Sequence, residues 1–332
     1  MAKQWTPDEI LEMARAFQPA CVLAAAADLE LFDYLVERPL RAADLAEKLG
    51  ADRRGVAVLL DALAAIGLLV KDRDRYALPP DGTSILTTRG QRSVAAMMQH
   101  QANCLRRWAE IARTVKSGRP AERAPSIRGE EADEAAFIGA MDNISAPIAG
   151  PLVAEVGPPT FRHLLDLGGA SGTWTIAFLR SRPDATATIF DLPHVIPMAE
   201  RRIRSAELSD RVFFVAGDFE RDELPTGADL AWVSAIIHQN SREQNRRLFG
   251  SIFHALTAGG QILIRDMIME ESRTQPVGGA LFAVNMLVAT ESGGTYTFNE
   301  IAEDLQSVGF VEARILRRTE AMDSVVGARK LR

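Results

Sequence analysis

One stretch limits the folds open to this chain more than any other: residues 161–191, FRHLLDLGGASGTWTIAFLRSRPDATATIFD. His163 to Leu167 is an apolar run carrying one acid. Gly168, Gly169 and Gly172 form a loop, a helix opens at Trp174 and runs through Leu179, and Pro183 stops it. Thr186 to Phe190 is a β-branched and aromatic strand ending at Asp191. Glycines at a strand-to-helix turn let a ligand approach the backbone and use its free N–H groups. An acid at the end of the second strand can accept hydrogen bonds from ribose hydroxyls. The stretch predicts a nucleotide-cofactor site; the plainer alternative is a tight turn with ordinary glycines.

The glycine spacing separates the cofactors. A dinucleotide fold carries G-x-G-x-x-G with the pyrophosphate on the helix N-terminus. Here the pattern is G-G-x-x-G, and Asp166 stands two residues before the first glycine. A carboxylate there would repel a pyrophosphate, which disfavours a dehydrogenase. It suits a ligand with a cationic amino group beside a ribose, and S-adenosylmethionine has both, with a carboxylate for the loop N–H groups.

The alternation continues downstream. Pro193 to Ser205 reads as a helix, Val212 to Val215 as a strand followed by Gly217-Asp218-Phe219, and Asp229 to Ile237 as a strand ending at His238. Ser241-Arg-Glu-Gln244 is a capping box. Ala258-Gly259-Gly260 turns into a strand, Gln261 to Ile268, carrying Asp266. Repeated βα units imply a mostly parallel sheet with helices on both faces and ligands beyond the carboxyl ends of the strands. Asp166, Asp191, Asp218, His238 and Asp266 all fall at or near those ends. Leu281 to Leu287 is an apolar helix, Thr297 to Val308 another, and two closing strands pair antiparallel.

The N-terminal part differs. Thr6-Pro7-Asp8-Glu9 starts a helix, and the alanine-rich segment Ala20 to Ala27 continues helical, with Leu29, Leu31, Phe32 and Leu35 extending its apolar face. Ala43 to Gly50 and Asp52 to Ile66 are two short helices, the second with Val56, Leu59, Leu60, Leu63 and Ile66 on one face. Leu68 to Val70 and Tyr76 to Leu78 flank a charged turn as a hairpin. Helix, helix, hairpin is a winged helix-turn-helix, which raises a DNA-binding regulator as a second function class. Residues 1–80 hold three more acidic than basic side chains, and the presumed recognition helix offers only Arg53 and Arg54. Both facts disfavour DNA. Residues 92–116 read as helix with Trp108 and Ile111 in the core, Ser117 to Gly129 as a surface loop, and Glu134 to Val156 as helix broken near Pro147.

Asp166-Leu-Gly-Gly-Ala-Ser-Gly172, Phe190-Asp-Leu-Pro-His-Val195, Gly217-Asp-Phe219 and His238, taken together, resemble the successive motifs of the S-adenosylmethionine-dependent small-molecule O-methyltransferases, the caffeate and acetylserotonin type and their bacterial kin. The resemblance runs from about residue 10 to the C-terminus. It implies an α/β chain: a Rossmann-like methyltransferase domain with helices on both faces of a mostly parallel sheet, and an N-terminal helical winged-helix domain that dimerises. The expected boundaries are 1–100 for dimerisation, 101–157 for a helical linker and acceptor-pocket region, and 158–332 for catalysis. By resemblance the cofactor is held by Asp166, Gly168, Gly169, Gly172, Asp191, Leu192, Asp218, Phe219 and Ser234, with Asp218 on the adenine amino group and Phe219 on its ring. Phe137, Met141, Asn143, Asn285 and Met286 would line the acceptor pocket. His238 would be the general base, with Asp266 behind it.

A base has a physical task here. A phenol has a pKa of about 10 and imidazole about 6.5, so full proton transfer before attack is uphill by roughly 5 kcal/mol. The proton must leave as the oxygen attacks the methyl carbon. Two departures from the family pattern bear on this. Gln239 stands where aspartate commonly follows the histidine, and the usual second glutamate is missing: Thr295 falls at its register, with Glu291 nearby as a substitute. This leaves open methylation of nitrogen or carbon, or a cofactor retained without methyl transfer.

Composition adds limits. A net charge of −6 argues against a general nucleic-acid binder. The two cysteines, Cys21 and Cys104, fit a reducing cytoplasm without a disulfide framework. The longest uncharged run, Thr274 to Thr290, is too short and polar for a membrane span, and the N-terminus lacks an apolar signal core. His100, His163, His194 and His254 show no metal-ligand spacing. The expected partners are a small-molecule acceptor and a second copy of the chain.

Overall fold

A computed structural model describes residues 3–120, 122–158 and 160–331. The chain divides into two units, one running to Ala109 and taking in Arg123–Asn143, the other formed by Glu110–Glu122 and everything from Ile144 onward. The expected 101–157 region is thus no unit of its own: its residues are shared between both.

The first unit begins with α1 (Pro7–Arg15), capped by Thr6 and Glu9 in a reciprocal box. α2 (Phe17–Asp28) follows. Glu30 then turns left-handed, so Leu31–Leu35 is a separate 3-10 turn rather than an extension of the alanine-rich helix. β1 (Leu40–Arg41), α3 (Ala42–Leu49), α4 (Arg53–Ala65), β2 (Val70–Asp72) and β3 (Arg75–Ala77) complete the helix–helix–hairpin order, with β3 central in a small antiparallel sheet. On α4, Val56, Leu60 and Leu63 enter the unit's core, Leu59 is half-buried and Ile66 stays exposed. α5 (Gly82–Leu86) and α6 (Ala95–Trp108) follow. The helix expected over 92–116 is broken at Ala109 and Glu110 before α7 (Ile111–Ser117), and Trp108 and Ile111 are half-buried rather than core.

α8 (Glu130–Val156) runs unbroken through Pro147 and Pro151. By length and composition it could cross a membrane, but its second half puts Ala149, Leu152 and Val153 into the second unit's core. That apolar contact replaces what the missing proline donors forgo.

The second unit is built on a seven-stranded sheet of β4 (His163–Leu167), β5 (Thr186–Asp191), β6 (Val212–Ala216), β7 (Ala228–Ser234), β8 (Leu256–Asp266), β11 (Phe310–Arg317) and β12 (Ser324–Lys330), in the order β11-β12-β8-β7-β4-β5-β6. The five strands from β8 to β6 are parallel; β12 and β11 are antiparallel. The chain moves outward from β4 through β5 to β6, then returns to lay β7 on the other side of β4. That reversal is the switch point at which such sheets bind ligands.

Side-chain alternation sorts the strands onto two cores. Leu164, Ile189, Trp232 and Leu263 face the side covered by α9 (Thr173–Ser181) and α10 (Ile196–Ser205). Leu165, Leu167, Val233, Ile262 and Ile264 face the side covered by α11 (Arg242–Ala255) and α13 (Phe298–Ser307). β9 (Ile268–Met269) and β10 (Tyr296–Thr297) make a two-stranded parallel ladder beside this sheet, flanking α12 (Val277–Ala289) in sequence.

Three expected boundaries move. α10 starts at Ile196, three residues after Pro193. β7 ends at Ser234, because Ala235 takes a left-handed φ of 58°, and His238 sits in a 3-10 turn, Ile237–Gln239. β8 begins at Leu256 and runs through Ala258–Gly260 instead of starting after them.

Candidate active site

Every acid and histidine singled out at a strand end lies at the carboxyl edge of the parallel sheet. The turn after β4 is shaped by backbone as much as by side chains. Gly168 (φ 61°) and Gly172 (φ 75°) occupy the left-handed region, where a Cβ is strained, and a Cβ on Gly168 would stand 2.7 Å from Ile236 Cδ1. Gly172 caps α9. Gly168 N–H donates to Phe190 O at 2.8 Å, tying the loop to β5.

Two carboxylates organise this loop differently. Asp166 is buried, and its Oδ2 accepts from Thr175 N–H (3.1 Å) and Thr175 Oγ1 (2.6 Å). Burial pushes its pKa up to about 7, against the pull of the Thr175 hydroxyl and with the Asp191 charge adding to the rise. That places Asp166 as the anchor of the first turn of α9 more than as an open anion awaiting a cationic amino group. Asp191 is half-buried; Ala170 N–H donates to its Oδ2 and Leu192 N–H to its Oδ1, each at 2.7 Å. Burial raises its pKa as well, opposed by these two backbone bonds. Each oxygen keeps lone-pair capacity for a further donor, as a pair of vicinal hydroxyls would require.

Around this cradle, Leu192 is exposed and Phe219 packs partly on the sheet core. Asp218 accepts from Glu220 N–H at 3.0 Å and lies 3.6 Å from the Arg221 guanidinium. Ser234 Oγ accepts from Arg265 at 3.1 Å.

His238 and Asp266 come together as expected. His238 Nδ1 is 2.9 Å from both carboxylate oxygens of Asp266, and both residues are buried. A carboxylate only accepts, so Nδ1 carries a proton, and in the neutral ring Nε2 keeps its lone pair. Asp266 Oδ1 also accepts from Met267 N–H at 2.7 Å. The Phe282 ring meets the imidazole edge-on, 4.8 Å between centroids, and so limits its rotation. Met286 is buried and Asn285 half-buried on the same helix, α12. Met141 and Asn143 stand on the first half of α8, in the other unit, where Asn143 Nδ2 donates to Ser93 O at 2.8 Å. Phe137 is exposed beside the His100 ring. Glu291 is exposed and Thr295 buried, so no second carboxylate from that segment backs the dyad.

Sequence reading passed over Arg265. It is buried, paired with Asp323 through Nε (3.2 Å) and Nη2 (2.6 Å), and lies 4.9 Å over the Trp174 ring. The signal was present as one basic residue inside the apolar run of β8. Arg265 and Asp266 are consecutive, so they project to opposite faces of the sheet, one to the α9 side and one to the histidine.

Among known proteins, residues 108–311 match the O-methyltransferase domain family and residues 11–88 the O-methyltransferase dimerisation domain. The chain is 33% identical to a tetracenomycin polyketide synthesis 8-O-methyl transferase of Streptomyces glaucescens, over 93% of this chain and 92% of that one. It is 27% identical to an N,N-dimethyltransferase of Streptomyces rimosus, over 96% and 93%. The solved structure of human N-acetylserotonin methyltransferase in complex with SAM superposes with a TM-score of 0.80 at 26% identity, covering 100% of both chains.

Proposed function

The chain belongs to the O-methyltransferase family, and on that premise we propose that it transfers a methyl group from S-adenosylmethionine to a hydroxyl of a small aromatic or polyketide-like acceptor, with His238 as general base. The observation that carries this reading is the buried His238–Asp266 dyad, Nδ1 2.9 Å from both carboxylate oxygens, at the carboxyl edge of the sheet. The similarity to the polyketide 8-O-methyl transferase supports the acceptor class.

The residues fit the cofactor. The left-handed Gly168 and Gly172 bring bare backbone to the site, Asp191 keeps acceptor capacity for the ribose hydroxyls, and Asp218 with Phe219 suit an adenine amino group and ring. Bound there, S-adenosylmethionine supplies an electrophilic methyl on a sulfonium. The protein's part is to orient the acceptor hydroxyl, take its proton at His238 Nε2 as the oxygen attacks, and hold the resulting imidazolium against Asp266. A positioned base contributes typically about 10²- to 10⁴-fold.

A second reading, methylation of an acceptor nitrogen, draws on the N,N-dimethyltransferase relative and on the single carboxylate behind His238. An amine needs less help from a base than a phenol. The N-terminal unit is read as pairing two copies: α1 buries none of its residues, and Ile10, Leu11, Met13 and Phe17 are exposed.

The test is His238→Ala, assayed with phenol and aniline acceptors of matched shape. The expected result is turnover lower by at least about 10²-fold on the phenol with S-adenosylhomocysteine affinity retained. Phenol turnover near wild type would remove the base, and preferential use of the aniline would select the nitrogen reading.

A further inference from the structure

We propose that residues 290–297, with Asn245, form a clamp that positions His238 against Asp266, doing by backbone hydrogen bonds what a second carboxylate would do by charge. This rests on the reading of His238 as the base. The family pattern has a glutamate near Thr295 and an acid at Gln239, and neither is present. A lone carboxylate fixes one end of an imidazole; the turn that carries the ring must be held by something else.

That turn is held at successive carbonyls. Ala235 O accepts from Gln239 Nε2 at 3.1 Å, and Ile236 O from Gln239 N–H at 2.9 Å. Ile237 O accepts from Asn245 Nδ2 at 2.9 Å. His238 O accepts from Gly294 N–H at 2.9 Å. Asn240 O accepts from the Tyr296 hydroxyl. Asn240, Asn245 and Tyr296 are all buried, and Asn240 Nδ2 donates to Asn245 Oδ1 at 3.1 Å, which sets the asparagine's orientation. The bonds of Asn240, Asn245 and Tyr296 are sheltered from water, so each lost partner there leaves a buried polar group unsatisfied.

The far side of the clamp is anchored on the dyad's other member. Tyr296 and Thr297 are β10, which pairs in parallel with Ile268 and Met269 of β9, two residues beyond Asp266. One short segment therefore touches the backbone of the histidine turn and the continuation of the aspartate strand. Thr290 secures its start: its Oγ1 donates to Met286 O at 2.8 Å and accepts from Gly293 N–H at 2.9 Å. The approach is close enough to require glycine. A Cβ on Gly293 would stand 2.5 Å from His238 O and 2.9 Å from Gln239 O.

Tyr296, Asn245 and Gly293 are positioning residues, since none touches the reacting atoms. Tyr296→Phe removes one hydroxyl and keeps the ring. Its kcat should fall about 10- to 100-fold, the scale of a small misplacement at a reacting centre, while the acceptor KM and the S-adenosylhomocysteine affinity stay within twofold. Gly293→Ala should act in the same direction by pressing its Cβ against the carbonyls of the turn, 2.5 Å from His238 O. In a His238→Ala background, either change should leave the residual rate unaltered, because a residue acting only through His238 has nothing left to act on. Three results overturn the clamp: wild-type kcat in both single variants, KM rising in step with the loss of kcat, or a further loss in the His238→Ala background. If His238→Ala itself keeps full activity, the base assignment fails instead, and that outcome is distinct from the others.

Discussion

Asp266→Asn isolates what one carboxylate contributes behind the histidine. The change keeps the side-chain shape and removes the charge. Met267 N–H already donates to Oδ1 at 2.7 Å, so the introduced amide will keep its oxygen there and turn its NH2 toward His238 Nδ1, 2.9 Å away. The retained Oδ1 also stands 2.9 Å from Nδ1 and can still accept its proton, but the NH2 competes for the same nitrogen and favours the tautomer protonated on Nε2, which can no longer accept a proton from the acceptor hydroxyl. The lost charge adds to this. Two unit charges about 4 Å apart interact by roughly 4 kcal/mol at an effective dielectric of about 20, which corresponds to about 10³-fold in rate. Tautomer and charge are two views of one interaction and do not sum, so kcat should fall by about 10³-fold. The assay is single-turnover transfer of a labelled methyl group with saturating cofactor, beside calorimetric titration with S-adenosylhomocysteine. Cofactor affinity should hold, because Asp266 lies on the sheet face away from α9 and the glycine loop packed beneath it. A kcat within tenfold of wild type would refute the dyad as the source of basicity, and loss of cofactor affinity would refute the separation of the two faces.

Asp191→Ala should weaken S-adenosylhomocysteine binding by more than tenfold, since it removes a ribose acceptor and also frees the Ala170 and Leu192 N–H groups; unchanged affinity in the same titration would take Asp191 out of the site. Asp166 has its folded pKa raised from 3.8 to about 7, so the folded protein holds a proton that the unfolded chain has released across that window. Stability from this group is therefore present below about pH 4 and lost as pH rises toward 7, by at most about 4 kcal/mol at 1.36 kcal/mol per pKa unit. Asp166→Asn keeps an acceptor for Thr175, so its melting temperature should gain on wild type steadily between pH 4 and 8, and parallel pH curves would contradict this. Asp323→Ala strands the buried Arg265 guanidinium and should cost about 3–5 kcal/mol in urea unfolding; with Arg265→Met added, most of that loss should return.

Much of the catalytic unit was legible because local chemistry and tertiary role coincide there. β4 and β5 lie where the apolar and β-branched runs placed them, Thr6, Ser241 and Thr297 cap helices through side chains three residues from their partners, and the acids and histidine line one sheet edge because strand ends are set by the alternation itself. Misplaced boundaries fall where a distant contact outweighs a local signal. Pro147 suggested a break in α8, but burial of Ala149, Leu152 and Val153 carries the helix through. Ala258–Gly260 looked like a turn before the strand; β7 pairs with β8 on both sides of them, at Leu256 and again from Gln261, so they form an irregularity within β8. Ile66 matched an apolar face that the core does not reach.

From the sequence alone came the parallel α/β architecture and the glycine loop with its two acids, because each rests on residue type and spacing within one or two elements; the pairing of His238 with Asp266 was an expectation from the family resemblance. Only the tertiary structure decided which face each side chain serves. It put Asp166 to work on Thr175, set Arg265 against Trp174 and Asp323, and brought Gly294, Tyr296 and Asn245 to the carbonyls of the histidine turn. Those contacts join residues as far apart in the chain as Trp174 and Arg265. No local periodicity encodes them, since they exist only once the sheet order has laid β12 beside β8 and β10 beside β9.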